Sequence, residues 1–211
     1  YFAIAEHKDA TINPKIYADE NPVVQTEYRH LTKNSYSILD TSYNQGYKKT
    51  SDKKSSGSRN HIFARSDIDL DLEGFNESKL VLNFQKVSND TYLKVHDINS
   101  AIMDSNDVMN SSVDLNFSKG NSSMEINMNV YENLGKIEER YEYVAPNYDY
   151  KNKLSISKEL GTLNFQSRGY YKNFETNKKL TKLINDFHWN SNDYYNNSGI
   201  ITKFEGSLKN S

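Results

Sequence analysis

The feature that most constrains this chain is an alternation of apolar and polar residues with a period of two. Ile62, Ile68 and Leu70 occupy alternate positions, and Asp67 and Asp69 occupy the positions between them. Successive side chains of a β-strand point to opposite faces, so the pattern predicts a strand with one apolar and one charged face. The same alternation recurs in residues 79–85, 109–117, 124–130 and 162–168. No helical stripe competes with it, although residues 96–106 could form a turn of helix.

The alternating segments predict an all-β fold. We expect an antiparallel up-and-down meander of about ten or eleven strands. They are expected near residues 10–17, 22–31, 35–43, 60–72, 78–87, 108–118, 123–131, 141–152, 161–171, 183–191 and 199–208. No linker divides the chain, so residues 1–211 are expected to form a single domain.

The connections between the predicted strands alternate in length. The short ones are expected near residues 32–34, 73–77, 119–122 and 158–160. The long ones are expected near residues 44–59, 86–107, 132–140 and 172–182. In a meander every second connection lies at the same edge, so one edge carries turns and the other carries loops. Outer-membrane β-barrels have this layout, and only the short connection at 18–21 departs from it.

Strand length and composition favour the same interpretation. A strand that crosses a membrane needs about 9–11 residues, which most of the predicted strands reach. Apolar residues make up only 36% of the chain, against about 45–50% in ordinary globular domains. A barrel strand needs apolar residues on its lipid-facing side only. We therefore expect part of a large transmembrane barrel, located in an outer membrane.

The alternation also assigns faces. The residues expected to face lipid are Ile62, Ile68, Leu70, Leu82, Leu115, Phe117, Ile126 and Met128. The residues expected to line the lumen are Asp67, Asp69, Asp71, Asn83, Asp114 and Asn127.

Charge and motif content exclude several function classes. The net charge of −2 gives no general attraction to nucleic acid. The chain has no cysteine, so thiol catalysis and cysteine-bound metals are excluded within it. The five histidines lack metal-binding spacing, and no nucleotide-binding or hydrolase motif occurs. We therefore predict no catalytic residue, no metal and no cofactor, and hence not an enzyme.

A polar stripe follows one face of the predicted strand at 60–72. It consists of Arg65, Asp67, Asp69 and Asp71. Three alternate aspartates also suggest a calcium loop, but an EF-hand requires glycine at the sixth position, whereas Gly74 stands at the eighth. A lumen-facing stripe is the favoured interpretation.

A basic, serine-rich segment occupies the first long connection. Its cations are Lys48, Lys49, Lys53, Lys54 and Arg59. The plain interpretation is a solvated hairpin tip. The functional alternative is a loop that attracts the phosphate-bearing head groups of membrane lipids.

Two prolines stand in the first two predicted strands. Proline lacks the N–H that a β-ladder uses, so it is confined to edges, first residues and bulges. Pro22 could simply begin its strand, whereas Pro14 lies within the first one. Pro14 therefore marks either a tolerated edge or a weakened strand at a seam where a barrel closes.

Several short stretches together resemble a known family. They are Tyr1 to Ala5, Lys8 to Pro14, Gln25 to Arg29, Asn83 to Tyr92 and Tyr143 to Tyr150 with Pro146. In this order and spacing they resemble the start of the barrel of the LptD family, the lipopolysaccharide-assembly proteins also called organic solvent tolerance proteins. The resemblance runs over most of the chain.

The resemblance implies more than the alternation does. Members of the family have a periplasmic jellyroll domain and a barrel of about 26 strands. An LptE-like lipoprotein plugs this barrel, and a periplasmic bridge protein reaches it through the jellyroll. Lipopolysaccharide reaches the outer leaflet through a lateral opening between the first and last strands. Pro14 and Pro22 match the prolines that keep this seam weak. The expected partners are therefore lipopolysaccharide, the plug, the bridge and membrane lipid, and nucleic acid is not among them.

Two other interpretations remain open. One is a diffusion porin or a small complete outer-membrane barrel, and the other is a soluble all-β binding module. Complete barrels of this type usually end on an aromatic residue, whereas this chain ends with Lys209, Asn210 and Ser211 and begins at Tyr1. We therefore expect a fragment of a longer barrel protein, without its jellyroll and its later strands.

Overall fold

The computed structural model describes residues 1–52, 54, 56–157, 160–175 and 177–210. Strands dominate it, and the one helix among these residues is α1, Tyr92–Val95. The first seven strands are β1 Phe2–Ala5, β2 Lys8–Lys15, β3 Val23–Leu31, β4 Ser35–Asn44, β5 Arg59–Asp69, β6 Glu77–Val87 and β7 Val108–Lys119. The other seven are β8 Ser122–Asn133, β9 Tyr141–Ser157, β10 Gly161–Phe174, β11 Lys178–Asn190, β12 Tyr194–Tyr195, β13 Ile201–Thr202 and β14 Glu205–Asn210.

Twelve of these strands form one sheet in chain order, from β1 through β11 to β14. The remaining two, β12 and β13, pair with each other as a small separate hairpin. The antiparallel up-and-down meander predicted from the alternation is therefore confirmed. Among the described residues, no helix is long and apolar enough to cross a membrane.

Two compact units can be distinguished in the chain. The first unit contains Tyr1–Asp69, Leu80–Val113 and Asn129–Glu142. The second unit contains Leu70–Lys79, Asp114–Met128 and Tyr143–Ser211.

In the first unit, one sheet face is covered by the segment 88–107, which contains α1. The strands below it are in continuous register, so that Gln25, Ser42 and His61 lie side by side across β3, β4 and β5. The buried apolar cluster comprises Val23, Phe63, Val87, Tyr92, Leu93, Ile98, Met109 and Leu134. We call this side the covered face and the opposite side the open face.

The open face of the first unit carries exposed apolar side chains. Ile62 is 45% exposed, whereas its strand neighbours His61 and Phe63 are fully buried. Other exposed apolar side chains of these strands are Ile12, Val24, Leu39, Leu82 and Phe84. Successive side chains of β5 therefore lie alternately on the covered face and on the open face.

The second unit shows the same division along β9, β10 and β11. Leu154, Leu163 and Trp189 are aligned in register, and the rings of Phe165 and Phe187 lie 4.8 Å apart. At the alternate positions Gln166 donates to Asp149 at 2.9 Å, and Arg168 pairs with Asp186 at 2.7 Å. One face of this unit is therefore apolar and the other is a network of polar pairs.

Several predicted boundaries are wrong. The connection expected to be long at residues 172–182 is a tight turn, because Lys172 pairs with Leu180 and Phe174 with Lys178. The backbone turns there through the left-handed residues Glu175 and Asn177. The single helical turn lies at Tyr92–Val95 rather than within 96–106, because Tyr92 and Leu93 supply the side chains that pack in the core.

The first and the fourth predicted strands also differ from expectation. A short β1 precedes β2, so the apolar run Phe2–Ala5 forms a strand of its own. The strand predicted for 60–72 ends at Asp69, and Asp71 takes a left-handed backbone with φ of 54°. A residue in that conformation cannot continue a β-strand.

Met109 departs from the face pattern of its own strand. Met109 and Val113 belong to the same alternate set, yet Met109 is buried in the core and Val113 is 36% exposed. Between them, the Gln85 N–H donates to Ser111 Oγ and the Asn110 N–H donates to Gln85 Oε1. Side chains thus replace ladder partners at the point where the alternation changes phase, as at a β-bulge.

Candidate functional site

The centre of the covered face is a chain of buried polar side chains. His61 Nε2 lies 3.2 Å from Asp40 Oδ1, and His61 Nδ1 lies 2.6 Å from Ser42 Oγ. Ser42 Oγ also lies 2.8 Å from the hydroxyl of Tyr92. Gln25 Nε2 donates to both carboxylate oxygens of Asp40, at 3.1 and 3.2 Å. These five residues are called the buried network below.

The hydrogen bonds of the buried network can all be given a donor and an acceptor in a single arrangement of hydrogens. The Asp40 carboxylate only accepts, so the hydrogen on His61 is assigned to Nε2 and Nδ1 accepts from Ser42. The Ser42 oxygen then accepts from the hydroxyl of Tyr92. Each hydrogen therefore has an acceptor, which is the condition for a polar group to be tolerated in a core.

The Ser42, His61 and Asp40 side chains repeat the order of groups in a hydrolytic triad. A nucleophile must be reachable by its substrate, whereas Ser42 is 3% exposed and His61 is fully buried. The Ser42 hydroxyl is also engaged by both His61 and Tyr92. The arrangement therefore holds the covering segment on the sheet and leaves no room for an acyl group at Ser42 Oγ.

A second set of contacts fixes the same covering segment at the first strands. Lys15 Nζ donates to the carbonyl of His96 at 3.0 Å and also to the carbonyl of Asp97. Tyr17 OH lies 3.3 Å from His96 Nδ1, and Gln25 Nε2 donates to the carbonyl of Asn99 at 2.8 Å. The segment 88–107 is thus tied to β2, β3 and the residues after β2.

His96 lies in an environment that disfavours its charged form. Burial lowers the pKa of His96 below its usual value, and the positive charges of Arg59 and Lys15 lower it further. Its Nε2 is buried without a hydrogen-bond partner among the described residues. A proton added there would have no acceptor.

An ion cluster joins the loop ends on the first unit. Glu132 accepts from Lys86 at 2.9 Å, from Arg140 at 2.8 Å and from Tyr141 at 2.9 Å. Arg140 also donates both terminal nitrogens to Asp90, at 3.0 and 2.6 Å. The pKa of Asp90 is lowered and that of Arg140 raised, chiefly by the hydrogen bonds between them. The cluster therefore couples residues 134–140 to the start of the covering segment.

The predicted polar stripe is only partly assembled. Arg65 and Asp67 form an exposed pair at 3.3 Å on the side of β5 that also carries His61 and Phe63. Asp69 ends the strand, and Asp71 lies beyond it. Among the described residues, no group of three or more His, Cys, Asp or Glu side chains is placed to hold a metal ion.

The basic segment divides in the structure. Lys48, Lys49 and Lys54 are exposed, and Lys53 lies outside the described residues. Arg59 is buried at 8% exposure and lies 4.5 Å above the ring of Tyr47. It is the first residue of β5 rather than part of the loop, so it is not available to a head group in the way that was expected.

The two prolines have different surroundings. Pro14 lies within β2 and is opposite Val24, whereas Pro22 precedes the first residue of β3. The Pro22 carbonyl accepts from Asn44 Nδ2 at 3.0 Å. Pro22 therefore stands just before a strand, whereas Pro14 lies within one.

The edge of the sheet beside Pro14 is only partly paired. β1 pairs with β2 at Lys8, Asp9 and Ala10. The rest of β2, from Thr11 to Lys15, is in register with β3 on its other side. Within the described residues, this half of β2 has one strand neighbour.

Sequence reasoning missed the buried network. His61 belongs to no metal-binding spacing, and Gln25, Asp40 and Ser42 each resemble ordinary polar strand residues. The available signal was their joint position beside a long connection that contains the apolar pair Tyr92 and Leu93.

No protein-family model matches this chain, and no curated protein sequence matches it.

Proposed function

We propose that this chain is part of the barrel of an outer-membrane lipopolysaccharide-assembly protein of the LptD type. In this role it guides lipopolysaccharide into the outer leaflet and makes or breaks no bond. The observation that carries the proposal is the exposed apolar face of each unit. It lies opposite the covered face in the first unit and opposite the paired polar side chains in the second.

The apolar faces support a membrane environment. Large exposed apolar side chains occur on strand after strand, including Leu39, Ile62 and Phe84 in the first unit and Leu154 and Leu183 in the second. Contiguous apolar surface of this kind is unfavourable in water and normally marks a partner or a membrane. In a bilayer, strands satisfy their backbone groups in the sheet and turn apolar side chains toward lipid.

The connections give the proposed orientation. The tight turns at residues 32–34 and 120–121 would lie in the periplasm, and the long connections at 45–58, 88–107 and 134–140 would lie outside the cell. The covered face of the first unit would then be the lumen side, with the segment 88–107 folded into it.

The partly paired first strands support a lateral exit. An edge with unpaired N–H and C=O groups can pair with another strand and part from it again. Pro14 removes one donor from this edge, which weakens pairing by about 0.5–1.5 kcal/mol. A diffusion porin gains nothing from such a seam. An LptE-like plug and a periplasmic bridge protein are the proposed protein partners.

A photo-crosslinking experiment in cells tests this function. A photoreactive amino acid replaces Thr11 or Asn13 in the full-length protein, and Lys136, an exposed residue of the 134–140 connection, serves as the control position. We expect lipopolysaccharide adducts at Thr11 and Asn13 and none at Lys136. Absence of adducts at both edge positions, together with unchanged surface lipopolysaccharide when the protein is depleted, would contradict the proposal. Faster uptake of small solutes through the protein would then favour the porin.

A further inference from the structure

An apolar groove lies on the second unit, between the turn at residues 70–76 and the hairpin of β7 and β8. Leu72, Phe75, Phe117, Met124 and Tyr150 form its walls. The groove encloses about 500 Å³, within the range of about 300–1,000 Å³ that is usual for ligand clefts. The rings of Phe75 and Phe117 lie 5.8 Å apart and close one end.

Hydrogen bonds between its two turns hold that end of the groove in place. The Asn76 N–H donates to the carbonyl of Ser118 at 2.8 Å, and the Gly120 N–H donates to Asn76 Oδ1 at 2.6 Å. Hydrogen bonds that involve the backbone therefore fix the positions of the two turns that border the groove.

A single cation stands at the rim of this groove. Lys119 is the only charged residue among those that line it. Its Nζ lies 5.7 Å from the centre of the Phe75 ring, and no carboxylate of the described residues lies within ion-pair distance of it. Gly74 lies next to this ammonium group and has a φ of 81°. A Cβ at position 74 would lie 3.6 Å from Lys119 Nζ.

The wall of the groove is apolar, and the exposed Lys119 supplies the charge beside it. An ammonium group binds phosphate as a point charge. The groove thus combines an apolar channel with one neighbouring positive charge.

We propose that this groove binds one acyl chain of an anionic phospholipid, with the lipid phosphate at Lys119. The inference rests on the proposed membrane-spanning function, because only there does the groove face acyl chains. Charge complementarity selects the ligand, since the lining offers one cation and no anion. The groove lies at the edge with short turns, which is the periplasmic side in the proposed orientation, and this position favours a phospholipid over lipopolysaccharide.

Native mass spectrometry of the full-length protein tests the site. The protein in detergent is incubated with equal amounts of phosphatidylglycerol and diacylglycerol that carry the same acyl chains. We expect the wild-type protein to retain phosphatidylglycerol in preference. Lys119→Ala should lower that retention roughly fivefold, because this is the contribution of one basic side chain to binding at an anionic membrane surface. Lys136→Ala removes another exposed lysine, from the 134–140 connection, and should change nothing.

A second variant tests the apolar part of the groove. Ser122→Phe places a ring in the channel and should lower the retention of both lipids, whereas Lys119→Ala should affect only the phosphate-bearing one. Equal retention of phosphatidylglycerol by the wild type and by Lys119→Ala would overturn the proposal. It would also be overturned if Lys119→Ala reduced retention of added lipopolysaccharide alone. If the protein inserts into outer membranes and crosslinks lipopolysaccharide at Thr11 but fails this test, only the groove proposal is lost.

Discussion

His61 and Asp40, 21 positions apart in the chain, meet through Nε2 and Oδ1 at 3.2 Å with both side chains essentially inaccessible to solvent. The pair lies under the segment 88–107, and Ser42 extends it to the hydroxyl of Tyr92. A polar core of this kind stabilises only when every member has its partner. The buried network is therefore expected to hold the covering segment in one position on the sheet.

Tyr92→Phe tests this role with the smallest change. The ring stays in the apolar core, and the hydrogen bond to Ser42 is lost, so we expect the free energy of unfolding to fall by about 0.5–1.5 kcal/mol. Tyr195→Phe, at a side chain that is 73% exposed, is the matched control and should leave stability unchanged. Thermal unfolding of the purified protein measures both, and equal values for the two variants would contradict a role for the network.

Asp40→Ala should have a larger effect than Tyr92→Phe. It leaves Gln25 and His61 buried without their acceptor, which costs about 1–3 kcal/mol for each unsatisfied group. Protease cleavage within the segment 88–107 should accelerate, because the segment loses its anchor. Unchanged cleavage with a lower unfolding temperature would show that the network supports the sheet but does not hold the segment.

Acidification should loosen the same segment through His96. Burial lowers the folded pKa of His96 below the ordinary histidine value of 6.5, so the unfolded state binds the proton more readily. Stability from this group is therefore complete above pH 6.5 and is lost as the pH falls below that value toward the folded pKa. Hydrogen exchange of residues 92–98 between about pH 7.5 and pH 5 measures it. His96→Gln should flatten the pH dependence, whereas His7→Gln, at an exposed histidine, should preserve it.

Asp90 and Arg140 should be energetically coupled. A double-mutant cycle with Asp90→Asn and Arg140→Gln is expected to give about 1 kcal/mol, since the carboxylate is partly exposed and the pair is screened by solvent. The lowered pKa of Asp90 means that this contribution is present above its unfolded value of 3.8 and disappears as the pH falls through the folded pKa. A coupling of zero at neutral pH would show that the two loops are independent.

Much of the fold follows from local sequence, because period-two alternation is a local property. Ile62 and Asp67 of β5 reveal its two sides directly. The lysines at 178, 179 and 182 resemble a polar loop, whereas they lie in β11, which also contains Leu180 and Leu183 on its two faces. The sequence therefore predicts a long connection where the structure has a tight turn between Phe174 and Lys178. The bond between Ser42 and Tyr92 spans 50 positions, and no local pattern specifies which long connection folds onto which strand. The contact of Arg59 with the ring of Tyr47 also joins residues that are distant in the chain. The local sequence, which is basic and rich in serine, predicts a loop at Arg59 instead of the start of a strand.

Pro14 and Pro22 should now behave differently. Pro14 lies within β2 and has no backbone N–H, so Pro14→Ala restores a donor on the edge strand and should tighten the seam by about 0.5–1.5 kcal/mol. Pro22 lies before β3, so Pro22→Ala should leave the ladder unchanged. Surface lipopolysaccharide and sensitivity to large antibiotics, at matched protein level, are expected to change in the Pro14→Ala strain alone. Equal behaviour of both strains would remove the seam role from Pro14.

The most direct test of the account is the environment of neighbouring side chains along β5. The chain contains no cysteine, so a cysteine introduced at Ile62, Ala64, Arg65 or Asp67 can carry a nitroxide label in the full-length protein within lipid bilayers. Collisional accessibility to oxygen and to a water-soluble nickel complex is then measured at each site. Labels at Ile62 and Ala64 should be reached by oxygen, and labels at Arg65 and Asp67 by the nickel complex, in alternation along the strand. Nickel accessibility that is equally high at all four positions would place both faces in water and contradict the membrane-spanning assignment.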